Sequence, residues 1–174
     1  MKRLLVDSRL PKLIFALLVL YAALHFTSVY PQLPSVVASH FNGRGAANGW
    51  ETKQAFFQVL IIVSVIMVVI GFAIPKLISF LPAQLINVPN KSYWLAPERA
   101  AETMAFFETT FAWFACALFL FNILVFDYAI QINLDPQHPP TSARFWYALT
   151  GFLVFTFAWT IRMLIKFLSP PKEN

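Results

Sequence analysis

Residues 33–53 read LPSVVASHFNGRGAANGWETK, and the runs on either side of them decide the fold. Residues 13–30 (LIFALLVLYAALHFTSVY) and 55–74 (AFFQVLIIVSVIMVVIGFAI) are almost wholly apolar. A helix needs about 20 mostly apolar residues to cross a bilayer, and each run is close to that length. Two more follow: the Phe-rich stretch 104–126, ending before Asp127, and 145–166, whose Arg162 and Lys166 have stems long enough to snorkel to the interface. The Val- and Ile-rich run 55–74 would favour a strand in water. In lipid each backbone polar group must be paired within the segment, so the helix prevails. The short alternating segments of a membrane β-barrel are absent. The sequence thus predicts an all-α integral membrane protein of one domain. It has four transmembrane helices and a structured loop (31–54) between the first two.

Composition agrees. Of 174 residues 59% are hydrophobic and 12% charged, against about 25% charged in soluble domains. The mean hydropathy is +0.65. A net charge of +5 does not point to nucleic acid, because the basic residues flank apolar runs instead of lining one face. Cys116 is the sole cysteine, so no intrachain disulfide forms. The opening MKRLLVDSRLPK and the apolar core after it are laid out like a secretory signal. No small-residue cleavage site follows, and the segment is expected to stay as the first span.

Basic residues set the orientation. Ten fall on one side (Lys2, Arg3, Arg9 and Lys12; Lys76, Lys91 and Arg99; Arg162, Lys166 and Lys172). Three fall on the other (Arg44, Lys53 and Arg144). Both termini are predicted cytoplasmic, with the loops 31–54 and 127–144 facing outward. Residues 77–103 carry Pro82, Pro89 and Pro97, which prevent one continuous helix. With Tyr93 and Trp94 they read as a segment lying along the cytoplasmic interface. Glu98 and Glu102 suit the positive end of the helix that follows, and Arg99 is spaced to pair with Glu102.

In HFNGRGAANGW, Gly43, Gly45 and Gly49 permit positive φ, and Asn48-Gly49 signals a tight turn. A compact loop is expected, with Trp50 anchored at the outer interface. One reading is a preformed recognition surface formed by His40, Phe41, Asn42, Arg44, Trp50 and Lys53. The other is a capped connection with His40 bonded to backbone. A merely connecting loop is usually shorter. On the opposite face, Asn90, Trp94, Glu98, Arg99 and Glu102 form a second candidate surface for a partner.

The pattern formed by Leu33, Pro34, Val37, His40, Phe41, Asn42, Gly45, Asn48, Gly49, Trp50 and Lys53 resembles the signature of a bacterial membrane family of unknown function. That domain also forms the N-terminal part of Sdp-type toxin-immunity proteins. Residues 89–103 (PNKSYWLAPERAAET) resemble a second signature of its shorter members. The resemblance implies a multi-helix plasma-membrane protein and, in its known relatives, toxin protection and capture of a regulator. It supplies no catalytic residues. Family members often carry an acid where Asn48 stands, and the second domain of the immunity proteins is missing here.

Catalytic chemistry has little to build on. There is no Gly-x-Ser-x-Gly, HxxxH, HxH or CxxC. Zinc needs three or four converging ligands, which leaves His25 and His40 as the runner-up metal pair; no cofactor is expected. His25 lies inside a span, where polar groups are costly and often functional. The function expected from sequence is a non-enzymatic recognition or immunity-type module in the lipid bilayer, binding a peptide, toxin or protein partner. The alternatives are a metal-dependent enzyme at the outer face and an accessory subunit of a transporter, the latter made more plausible by homo-oligomerisation.

Overall fold

The computed structural model describes residues 8–170. Three of the basic residues that set the predicted orientation, Lys2, Arg3 and Lys172, lie outside them. The chain forms α1 (Arg9–Val29), β1 (Val36–Phe41), β2 (Ala47–Thr52), α2 (Lys53–Val68), α3 (Ile74–Ile78), α4 (Lys91–Trp94), α5 (Ala100–Leu134) and α6 (Ala143–Leu168). Among the described residues, four helical rods are long and apolar enough to cross a membrane: Arg9–Gln32, Lys53–Ile78, Ala100–Leu134 and Ala143–Leu168. The molecule is mostly helical, and the expected all-α architecture is modified by one β-hairpin.

Helix α5 is the pillar of the bundle. Its 35 residues span about 52 Å at 1.5 Å per residue, well beyond the roughly 30 Å of a hydrocarbon core. Helix α1 lies beside it in the same direction. Cys116 Sγ donates to the Pro11 carbonyl at 3.2 Å, Phe15 meets Phe119, and His25 meets Asp127. Helices α2 and α6 run the opposite way, through Phe56–Phe126 and through Phe121–Phe152 and Phe107–Phe167. The outward faces stay apolar: Leu24, Ile61, Tyr147 and Phe157 are all exposed. Lipid, not water, suits them.

Sequence boundaries moved where tertiary contacts extended or bent a helix. The second span, expected over 55–74, continues through Pro75 as a rod to Ile78. The turn before it, Val69–Ala73, is a π-helix. Such a turn accommodates a proline, which has no N–H to donate and crowds the carbonyl four residues back. Gly71 is buried in that turn, and a Cβ there would overlap the Cβ of Ala115 on α5. The missing side chain lets the two rods touch. Helix α5 likewise runs two turns beyond the expected end at Phe126, so Asp127 belongs to the helix and the following loop shrinks to 135–142.

The hairpin is antiparallel, pairing Val36 with Thr52, Ala38 with Trp50 and Phe41 with Ala47. An isolated two-stranded hairpin is marginal in water. This one is tied down: Val37 and Leu33 are buried in the main apolar cluster with Ile130 of α5. The Asn133 amide on α5 grips Ala38, accepting from its N–H at 2.7 Å and donating to its carbonyl at 2.9 Å.

Candidate functional site

The tight turn of the hairpin falls at residues 42–46, not at Asn48-Gly49. Asn42 N–H donates to the Ala46 carbonyl at 2.9 Å, and Gly45 N–H to the Asn42 carbonyl at 2.8 Å. The Asn42 side-chain oxygen accepts from the N–H groups of Arg44 and Ala46, the bonding that makes Asn a turn residue. Gly45 supplies the one positive φ of the turn, +81°. Asn48 and Gly49 sit instead inside β2, where the register is irregular.

Between Ala38 and His40 the register gains an unpaired residue on β1, Ser39; between His40 and Phe41 it gains one on β2, Asn48. Two compensating bulges therefore bracket His40. Bulges re-aim side chains and gather near functional sites. The result here is that the His40 ring lies across Gly49, where any Cβ would come within 2.9 Å of His40 Cβ. His40 is exposed, and among the described residues its ring makes no hydrogen bond.

Beneath the turn is a cavity of about 310 Å³. The hairpin contributes Ser39 to Gly43 and Gly45, α2 contributes Phe56, α5 Val125, Phe126, Tyr128 and Ala129, and the start of α6 Ser142, Phe145 and Trp146. Phe41 packs edge-on to Tyr128 at 6.4 Å, fixing the hairpin over its mouth. The Ser39 hydroxyl is buried without a hydrogen-bond partner. Sequence reasoning missed Ser39, Tyr128 and Trp146, which come from three separate segments; no local pattern links them.

The other hairpin candidates divide. Lys53 is occupied: its ammonium donates to the carbonyls of Tyr30 and Leu33 at 3.3 and 3.1 Å and lies over the Tyr30 ring. It closes the end of α1, as a cation there should. Arg44 and Trp50 are exposed, Trp50 at 60%.

The second predicted group lies at the opposite end of the bundle and fastens α6. Asn90 Nδ2 and Trp94 Nε1 both donate to the Phe167 carbonyl, at 2.8 and 3.2 Å. Lys166 lies over the rings of Trp94 and Phe106. Arg99 pairs with Glu98 at 3.0 Å and stacks on Tyr93. Glu102 is exposed in the first turn of α5.

His25 is engaged elsewhere. Its Nε2 lies 2.9 Å from Asp127 Oδ1, with Tyr21 stacked on the ring and Gln131 donating to the same oxygen at 3.4 Å. The two runner-up metal residues thus occupy different settings, one between helices and one on the hairpin. Among the described residues no three His, Cys, Asp or Glu side chains gather as a metal site would need.

The α1–hairpin–α2 unit is the part that comparison with known proteins picks out. Residues 13–68 match a domain of unknown function, DUF1648. The match covers about a third of the chain, ends with α2, and carries no assigned activity. No curated protein and no solved structure matches.

Proposed function

We propose that this chain is a non-enzymatic recognition module of the bacterial plasma membrane. Both chain ends are cytoplasmic, and the hairpin faces outward to bind a peptide, toxin or partner protein. The orientation rests on the ten-to-three division of basic residues. The immunity-type variant rests on the resemblance of residues 33–53 and 89–103.

One observation carries the recognition reading. On the hairpin, Asn42 and Lys53 are consumed in holding the fold together, whereas His40 is placed by two bulges on the rim of a cavity and left unbonded. A connecting loop has no use for that arrangement, because each bulge interrupts the ladder.

The test is photo-crosslinking in intact cells, with benzoylphenylalanine at Arg44 or Trp50. The expected result is a covalent peptide or protein adduct whose yield His40→Ala lowers at least fivefold. Lipid adducts alone, or a yield indifferent to His40→Ala, would refute it. In the same cells an impermeant maleimide is expected to label Arg44→Cys and spare Lys91→Cys; the reverse pattern would invert the orientation.

A further inference from the structure

We propose that the cavity beneath the hairpin is an anchor pocket for a single bulky, uncharged side chain, aromatic by preference, carried by a peptide partner. The inference deepens the recognition reading and rests on it. Size comes first. A cavity of about 310 Å³ equals roughly ten water volumes at about 30 Å³ each, and it lies at the small end of ligand sites, about 300–1,000 Å³. That accommodates one large side chain with its adjoining amide, not a two-tailed lipid.

Charge comes second. No Lys, Arg, Asp or Glu lines the cavity. A phosphate headgroup, carboxylate or ammonium placed there would lose its water and meet no counter-charge, which is strongly unfavourable. The walls suit an aromatic ring: Phe56, Phe126, Phe145 and Trp146 offer edges and faces for it.

Hydrogen bonding comes third. The Ser39 hydroxyl is buried without a partner, and a buried polar group left so calls for an explanation. Serine reorients about one torsion, so an amide entering the cavity gives this hydroxyl the partner the fold withholds. The bulge at Ser39 has the same sense, since it removes that residue from the strand ladder.

The whole protein, in nanodiscs of phosphatidylcholine, is titrated with N-acetyl-tryptophanamide, N-acetyl-phenylalaninamide, N-acetyl-lysinamide and N-acetyl-aspartamide, with binding followed by saturation-transfer NMR. The aromatic amides are expected to bind saturably and the charged ones at least tenfold more weakly. Ala129→Trp, which fills the cavity from α5, is expected to abolish binding. Ser142→Trp at its rim does the same if the first variant fails to fold. Ser39→Ala is expected to weaken binding about fivefold, the worth of one hydrogen bond, without lowering thermal stability.

Absence of saturable aromatic binding, equal binding of charged amides, binding that survives a filled cavity, or a lower melting temperature for Ser39→Ala each overturns the proposal. Saturable binding of a short-chain phospholipid in place of the amides overturns it as well. If crosslinks form at Arg44 and Trp50 while no amide binds, the anchor pocket falls and the recognition module stands. If neither occurs, both fall.

Discussion

The Asn133 amide decides whether the hairpin stays over its cavity. Asn133→Ala removes two bonds to Ala38, of 2.7 and 2.9 Å, and leaves the Ala38 N–H and carbonyl without those partners. A hydrogen bond contributes about 0.5–1.5 kcal/mol net, so the pair accounts for about 1–3 kcal/mol. At 1.4 kcal/mol per tenfold, that is a shift of roughly five- to a hundredfold toward the undocked hairpin. Val37, fully buried, and Leu33 continue to hold the base of the hairpin, so the loss is local and the four helices stay assembled. Amide hydrogen exchange in nanodiscs reads this directly. Ala38 is expected to lose protection by the same factor, with Ala115 and Ile123 in α5 unchanged. Asn133→Asp separates the two bonds: it keeps an acceptor for the Ala38 N–H but sets a carboxylate against the carbonyl, and is expected to fall at or below the alanine variant. Unchanged protection at Ala38 in both variants would show that the apolar contacts alone dock the hairpin.

Two further outcomes concern the spans. Gly71→Ala puts a methyl group into Ala115 and is expected to destabilise the bundle by about 1–3 kcal/mol, the usual cost of overpacking; Ala115→Gly in the same chain should restore most of it, and failure of that rescue in a reversible unfolding assay would disprove the contact. Asp127→Leu deprives His25 of its carboxylate partner, and a double-mutant cycle with His25→Leu is expected to give a coupling of about 0.6–1.7 kcal/mol, the range for polar pairs between membrane helices. A coupling of zero would mean that the two side chains do not interact in the bilayer.

The sequence by itself determined four runs long and apolar enough to cross lipid as helices. Runs of about twenty apolar residues leave the backbone no partner but itself. It also led to the expectation of a compact, folded loop between the first two spans, and the hairpin of β1 and β2 stands there. It placed the turn wrongly for a physical reason: Asn-Gly signals a turn because it tolerates positive φ, yet neither Asn48 nor Gly49 takes one here; Gly49 instead clears the His40 side chain across the strands, which only the pairing of β1 with β2 reveals. Likewise Asp127 looked like the start of a loop, since a charge commonly ends a span. Its hydrogen bond to His25, 102 positions earlier, keeps it within the helix.

What the tertiary structure alone decided is the division of the polar motifs into fasteners and free groups. Lys53, Asn42, Asn90 and Trp94 spend their donors and acceptors on carbonyls and N–H groups of the fold. His40 and the Ser39 hydroxyl do not. Nothing in their residue types foretells this, because a hydrogen-bonding group is committed only when folding brings its partner within 3 Å or so. The cavity follows the same logic. Its walls come from the hairpin, α2, α5 and α6, and a space between distant segments has no counterpart in the order of residues along the chain.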